Sequence, residues 1–469
     1  MRPVPSARVS APAHTQSTGS GPIAIATRAV GALDRVLPYL GPAIALVLGT
    51  VAVGRRPLDV DEAAAVASAR GSFSDVVEHA FEHDPARAGY LALLRPVVAW
   101  DDAEHWTRLP SVVAAVIAAI AAYRLGRRLA GRHAGAAASI VLASSVGVVV
   151  LSRSVGPLAL ALAAMLLSSA LFARAVERGN VVWWAVYAVS AAILPLTHPI
   201  AASALAAQLI ALAVGRREIE LRFAIPAVAI ATVESGLLLS AAIADRADDA
   251  DGAGSLELAD VGVGLGRAIG WNPAVAALAL WGVVTLFKRS TSADGRWKAV
   301  LVAGLAVMPL AAVLVAGVAL PVYPRTALTV AAGGIALAAG VGLVAISDRA
   351  LRLAAAASVA AVAVAALVTA AVEGPDEDWR EAARIVRAQE EAQGSVVVLP
   401  PRARAAFAYY APDVQTQLVG RGDAVTVVVA GDPALAVATA RQVVSPPRYA
   451  LLDQRDAGRR LVVQRWVRP

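Results

Sequence analysis

The sequence predicts an all-α polytopic membrane protein of about eleven transmembrane helices, with interfacial helices in its first outside loop and a small C-terminal α/β domain. Three observations predict it. Of 469 residues, 58% are hydrophobic and only 16% charged, against roughly 45–50% and 25% in soluble domains, which is too much apolar surface for one aqueous core. Apolar runs near the roughly 20 residues needed to cross a bilayer recur between residues 36 and 372, separated by short loops carrying arginine. Ala, Val and Leu dominate the apolar set and aromatics make up 5%, which suits closely approaching helices better than a barrel with aromatic girdles.

In chain order, residues 1–35 are expected to be a disordered cytoplasmic tail. The first 22 are rich in Pro, Ser, Ala and Gly and lack a leading apolar core, so the first span must act as its own insertion signal. The transmembrane part covers 36–372. Its expected spans centre on residues 36–54, 109–123, 134–151, 155–173, 181–197, 199–214, 223–244, 271–287, 299–320, 326–346 and 353–372. Residues 181–214 are broken by His198-Pro199; read as one span they would put Arg216 and Arg217 outside and invert every later loop, so two spans are predicted. With the N-terminus cytoplasmic, inside segments hold 19 Lys and Arg and outside loops ten. That bias favours N-terminus in and, after an odd number of spans, the C-terminal domain out.

From residue 373 to 469 the composition changes. Residues 378–393 read as a charged amphipathic helix, Ser395–Leu399 and Ala424–Val429 as strands, Leu435–Gln442 as a helix and Leu461–Trp466 as a closing strand. These make an extracytoplasmic α/β domain of ordinary size.

Composition also removes function classes. The net charge of +7 sits in short clusters between apolar runs rather than on one basic face, which argues against nucleic acid as a partner and for membrane lipids. With no Cys, disulfides and thiolate metal sites are impossible. There is no P-loop and no GxGxxG.

Chemistry concentrates in the outside loop 55–108. It and the entry to the second span hold ten carboxylates, including Asp59, Asp61, Glu62 and Asp84, while Val66, Phe73, Val76, Val77, Ala80 and Phe81 recur at helical spacing. Short amphipathic helices lying in the interface are expected. A carboxylate just beyond a span and under an apolar lid can act as a general base or bind a divalent cation; a solvated acidic loop explains the same composition. Arg153 and Arg325 fall at outside helix ends, where a guanidinium can pair with phosphate or snorkel to headgroups. His198 can bind phosphate, relay a proton or cap a helix. Glu234 is an ionisable residue inside the expected seventh span, and Trp183 and Trp184 read as interfacial anchors.

On these features the chain resembles the GT-C superfamily of membrane glycosyltransferases, in particular actinobacterial relatives of protein O-mannosyltransferases and aminoarabinose transferases. The likeness lies in Asp61-Glu62 soon after the first span, His83-Asp84-Pro85 followed by Tyr90-Leu91, and the Arg-Leu-Pro entry at Arg108 to Pro110. It continues in Ser152-Arg153, His198, Tyr323 to Thr326 and the segment EDWREAARIV. The chain departs from the pattern at Thr326, where members often have Tyr, and in SRSVGPLAL, where they often carry an acidic residue with an Arg-Pro-Tyr-like run.

The resemblance implies a GT-C-like fold and a glycosyltransferase, hexosyl or pentosyl and mannosyltransferase-like. Its donor would be a polyprenyl phosphate carrying one sugar, and its acceptor an envelope glycan, lipid or protein on the outer face. Asp61 and Glu62 are then the catalytic pair, with Asp61 as base. Asp59, Asp84, Arg108, Arg153, His198 and Arg325 contact substrate, and a divalent cation such as Mg or Mn is held by Asp61 and Asp84. A flippase of lipid-linked saccharides and a non-catalytic envelope scaffold are the competing readings.

Overall fold

The computed structural model describes residues 22–51, 53–83, 87–215, 222–226, 228–229, 232–233, 258–290, 293–319, 326–372, 376–390, 395–420, 423–444 and 449–469. By contact density the chain divides into two units, Met1–Leu37 and Pro38–Pro469. In the first, the described part is the opening of α1 (Pro22–Thr50). The loop helices, the rest of the helical bundle and the C-terminal sheet all belong to the second.

Four short helices follow α1 in the loop before the next long helix: α2 (Val60–Ser68), α3 (Phe73–His83), α4 (Ala88–Trp100) and α5 (Glu104–Thr107). The bundle continues with α6 (Leu109–Ala130), α7 (Arg132–Ser144), α8 (Val146–Ser152), α9 (Leu158–Arg178) and α10 (Val181–Thr197). A 3-10 turn (Pro199–Ala202) then leads into α11 (Ser203–Gly215). After a stretch mostly outside the described residues come α12 (Leu258–Ala268), α13 (Pro273–Arg289) and α14 (Ala293–Ala319). A 3-10 turn (Ala327–Ala331) runs into α15 (Ala332–Ala345), and α16 (Arg349–Val372) completes the helical part.

Local chemistry explains several boundaries. Asn180 and Asn272 accept from the backbone N–H of Trp183 and Ala274 and so cap α10 and α13. His198 ends α10 in extended backbone, and its Nδ1 accepts from Ile200 N–H, opening the turn into α11; the predicted break at His198-Pro199 is therefore present. Apolar residues left outward on the bundle recur every three or four positions, as in Val113, Ile117 and Ile120 or Val182, Val186, Val189 and Ile193. Such stripes need an apolar solvent. The protein is a multi-pass membrane protein.

The expected count of eleven spans is not confirmed. Among the described residues four helices are long and apolar enough to cross a bilayer, namely Glu104–Ala130, Leu158–Arg178, Gly295–Ala316 and Ala327–Ala345. Two more result if each bent pair is one span: α7 with α8, bent by 65°, and Val261–Ala268 with α13, bent by 76°. Arg35–Thr50, Val181–Thr197 and Pro199–Gly215 are apolar but shorter than 18 residues. Most of the expected seventh span, with Glu234, lies outside the described residues.

Small residues set the helix packing. A Cβ on Gly282 of α13 would collide with the carbonyl of Ala338 on α15, and one on Gly342 of α15 with that of Leu278. The two backbones touch, as apolar helices in lipid require, because burying Leu against Leu gains little where lipid is equally apolar. Gly126 and Gly135 bring α6 and α7 together in the same way. Some polar side chains within the bundle pair with one another: Tyr187 Oη donates to Gln208 Oε1 at 2.8 Å, and Gln208 Nε2 donates to Ser169 Oγ at 3.1 Å.

The C-terminal part opens with α17 (Trp379–Glu390) and β1 (Ser395–Leu399), then α18 (Arg404–Tyr410), β2 (Thr416–Gln417) and β3 (Ala424–Ala430). The short α19 (Ala436–Ala440), β4 (Ala450–Asp456) and β5 (Leu461–Val467) complete it. Each expected element is present. The sheet order is β2-β1-β3-β5-β4, with β1 parallel to β2 and β3, and β5 antiparallel to β3 and β4. One face of the sheet, with Trp379, Phe407, Val396 and Val398, shares a single hydrophobic core with Leu58, Val66, Val76, Tyr90 and Leu94 of the loop between α1 and α6. Of the apolar positions that mark the expected interfacial helices, Val66, Val76 and Ala80 are buried in that shared core, whereas Phe73 and Phe81 stay exposed. Covering both apolar faces at once removes more surface from water than leaving each against headgroups.

Candidate functional site

The acidic motif sits on α2. Asp59 is its N-cap, accepting from Glu62 N–H at 2.8 Å, while Glu62 Oε2 accepts from Asp59 N–H at 3.2 Å, a reciprocal capping box. Asp61 and Glu62 lie in the first turn, where the helix dipole favours carboxylates. One step along the helix separates their fates: Asp61 is exposed, and Glu62 is buried at 4% exposure. The spacing contained that signal, since Glu62, Val66 and Ala69 share one face and all three are buried.

Glu62, expected beside Asp61 in the chemistry, is turned inward. Its Oε2 accepts from Arg108 Nη2 at 2.8 Å and its Oε1 from Val155 N–H at 2.9 Å. Arg108, expected on the substrate, is 1% exposed. Its guanidinium also donates to the carbonyls of Val53, Arg56 and Pro57 at 2.6, 2.7 and 3.1 Å. A buried charge must be paired and hydrogen-bonded, and these five bonds do so. The pair ties α2 to the start of α6 and to the turn between α8 and α9.

Arg153 belongs to that same turn. Its Nε donates to Leu48 O at 2.8 Å, so the C-terminal end of α1 holds it beside the bonds made by Val155. Gly49 packs between Val112 and Ser152, which brings the ends of α1, α6 and α8 together under α2. His198 lies at the end of α10 that meets α4, where Gly89 leaves no room for a Cβ against the Leu196 carbonyl. Asp84 and Arg325 lie outside the described residues. Among the described residues no three His, Asp or Glu side chains gather as a cation site would need.

Asp59 carries the one strongly perturbed carboxyl here. Burial first, and the charge of Glu62 second, raise its pKa from 3.8 to about 7, against the opposing pull of the Glu62 N–H and of Arg56. The folded chain thus holds a proton at Asp59 that the unfolded chain releases near 3.8, so stability falls as pH rises through that window. Asp59→Asn keeps a side chain that caps as well as Asp and abolishes the titration. Melting temperature in detergent, scanned from about pH 4 to about pH 7.5, should decline less steeply in Asp59→Asn than in wild type. Parallel profiles would withdraw the assignment.

Several residues absent from the sequence reading complete the site. Glu104 accepts from Arg380 Nε at 2.8 Å and from Tyr410 Oη at 2.6 Å; Tyr410 Oη in turn accepts from Leu58 N–H at 2.7 Å. Burial, then the bond to Glu104, push the Tyr410 phenol well above its usual range, so it donates as a neutral group. Tyr409 Oη donates to Asp102 O at 2.6 Å, and Arg70 pairs with Asp102 at 2.7 Å. The one hint in the sequence was EDWREAARIV, whose Trp379 is fully buried and whose Arg380 makes these bonds.

A family model described as dolichyl-phosphate-mannose-protein mannosyltransferase matches residues 90–235. No curated protein matches the chain. Among solved structures, ArnT from Cupriavidus metallidurans in the apo state is similar with a TM-score of 0.60 at 13% identity, over 93% of this chain and 98% of that one. The same protein bound to undecaprenyl phosphate gives 0.56 at 13%, over 91% and 97%. The archaeal oligosaccharyltransferase AglB from Archaeoglobus fulgidus, in complex with an inhibitory peptide and a dolichol-phosphate, gives 0.50 at 11%, over 85% and 69%. The chain thus shares the fold of ArnT over nearly its whole length, and residues 90–235 resemble the mannosyltransferase family.

Proposed function

We propose that the protein is a membrane glycosyltransferase that moves one sugar from a polyprenyl-phosphate donor to a hydroxyl of an envelope glycan, lipid or protein on the outer face. The observation that carries the reading is Asp61, open to solvent on a helix locked by the buried Glu62–Arg108 pair over the outer ends of α1, α6 and α8. The undecaprenyl phosphate bound to ArnT and the dolichol-phosphate bound to AglB support the class of donor.

Asp61 takes the proton of the acceptor hydroxyl as its oxygen attacks the anomeric carbon. The bond from that carbon to the phosphate oxygen breaks, and polyprenyl phosphate leaves with the electron pair. Arg153, Arg325 and His198 hold the phosphate, while Asp59 and Asp84 orient the sugar. A divalent cation, Mg or Mn, held by Asp61 and Asp84 would supply further charge neutralisation at the phosphate. Glu62 and Arg108 act by holding Asp61 in place. The topology of this proposal puts the N-terminus in the cytoplasm and the α/β part outside.

Proteoliposomes containing the purified chain and a polyprenyl phosphate bearing radiolabelled mannose, or a labelled pentose, should release polyprenyl phosphate and pass label to an added envelope extract. EDTA should stop the transfer and Mg restore it. Label that crosses the bilayer still attached to its lipid, with no product formed, would establish the flippase instead.

A further inference from the structure

Residues 53–58, which connect α1 to the acidic helix, have no secondary structure partner of their own, yet each is gripped by a side chain from elsewhere. Arg108, at the start of α6, holds the carbonyls of Val53, Arg56 and Pro57. Arg380 of α17 takes the remaining two, with Nη2 on Gly54 O at 2.9 Å and Nη1 on Arg55 O at 3.2 Å. Tyr410 of α18 accepts from Leu58 N–H at 2.7 Å. Leu58 itself is fully buried in the core with Trp379 and Phe407. The membrane bundle and the C-terminal unit therefore share control of one strap, which ends at Asp59, two residues before Asp61.

Glu104 ties the two C-terminal grips together, accepting from both Arg380 and Tyr410. The ion pair and the neutral phenol are thus one connected network, in which losing one member leaves the others with unmet bonds.

We infer that the C-terminal unit is a positioning element for the acidic helix, with Tyr410 and Arg380 as the positioning residues that set where residues 54–58 run and hence where Asp61 stands. This rests on the transferase reading for its kinetic consequence, but not for its structural one. A shift of about 1 Å at a reacting group can cost up to about a hundredfold in rate, so small changes in the strap would be felt in turnover before they are felt in stability.

The test uses the full-length protein in proteoliposomes, with Tyr410→Phe, which removes one oxygen, and Arg380→Lys, which keeps the charge facing Glu104 but whose single ammonium cannot replace the guanidinium's bonds to Glu104 and to both carbonyls at once. Both should lower kcat about tenfold, with KM for the lipid donor changed less than about twofold. Amide hydrogen exchange should quicken in residues 58–66 and stay unchanged in β1 and β3. Full kcat in both variants overturns the inference. So does exchange that rises equally through β1 and β3, since that reports a loosened domain rather than a displaced helix. If wild type transfers no sugar at all, the transferase reading falls, and the exchange pattern alone then decides whether the C-terminal unit positions α2.

Discussion

Asp61→Asn is expected to reduce sugar transfer by at least about a hundredfold, the usual contribution of a positioned general base, while stability falls by no more than about 1 kcal/mol, the helix-dipole contribution of an exposed first-turn carboxylate. Both halves follow from where the residue lies. Its side chain is exposed and is neither the cap of α2 nor part of the buried pair, roles filled by Asp59 and Glu62. Asparagine is nearly isosteric and keeps hydrogen-bonding capacity, so what is lost is the negative charge, and with it the ability to take a proton or hold a cation. Glu78→Gln, a neutralisation at another exposed acid of the same loop, should leave transfer unchanged. Turnover in proteoliposomes, measured with folding monitored in parallel, checks the pair. Wild-type rates for Asp61→Asn would remove Asp61 from the chemistry and leave the fold reading intact.

Arg108→Met is expected to have the largest effect on stability, about 3–5 kcal/mol, the cost of leaving one member of a buried ion pair alone. Glu62 would keep only the N–H groups of Val155 and Asp59 as donors. The carbonyls of Val53, Arg56 and Pro57 would lose their partner at the same time, and the buried one, of Pro57, adds its own desolvation penalty. Pairing the change with Glu62→Leu removes the orphaned carboxylate but not the orphaned carbonyls, so the double variant should recover only part of the loss. Thermal unfolding in detergent measures both. Full recovery in the double variant would mean that the grip on residues 53–57 contributes nothing.

The residues that were easiest to read are those whose neighbours in space are neighbours in sequence. The break at His198-Pro199 and the strands expected at Ser395–Leu399 and Leu461–Trp466 lie where local pattern puts them, because helix period and strand alternation act over a few residues. The span count was less legible. Apolar length alone cannot tell a straight span from the bends of 65° and 76° that divide α7 from α8 and α12 from α13.

The acidic motif divides along the same line. That the acidic loop would carry short amphipathic helices was legible in the spacing of Val66, Phe73, Val76 and Phe81. That Glu62 pairs with Arg108, 46 residues away, and that Tyr410 holds Leu58 across 352 residues was decided by tertiary structure alone. Such partners meet only once the shared core of Leu58, Trp379 and Phe407 closes. Burial turns a carboxylate into one half of an ion pair and leaves its exposed neighbour free for chemistry, and burial is a property of the packed molecule.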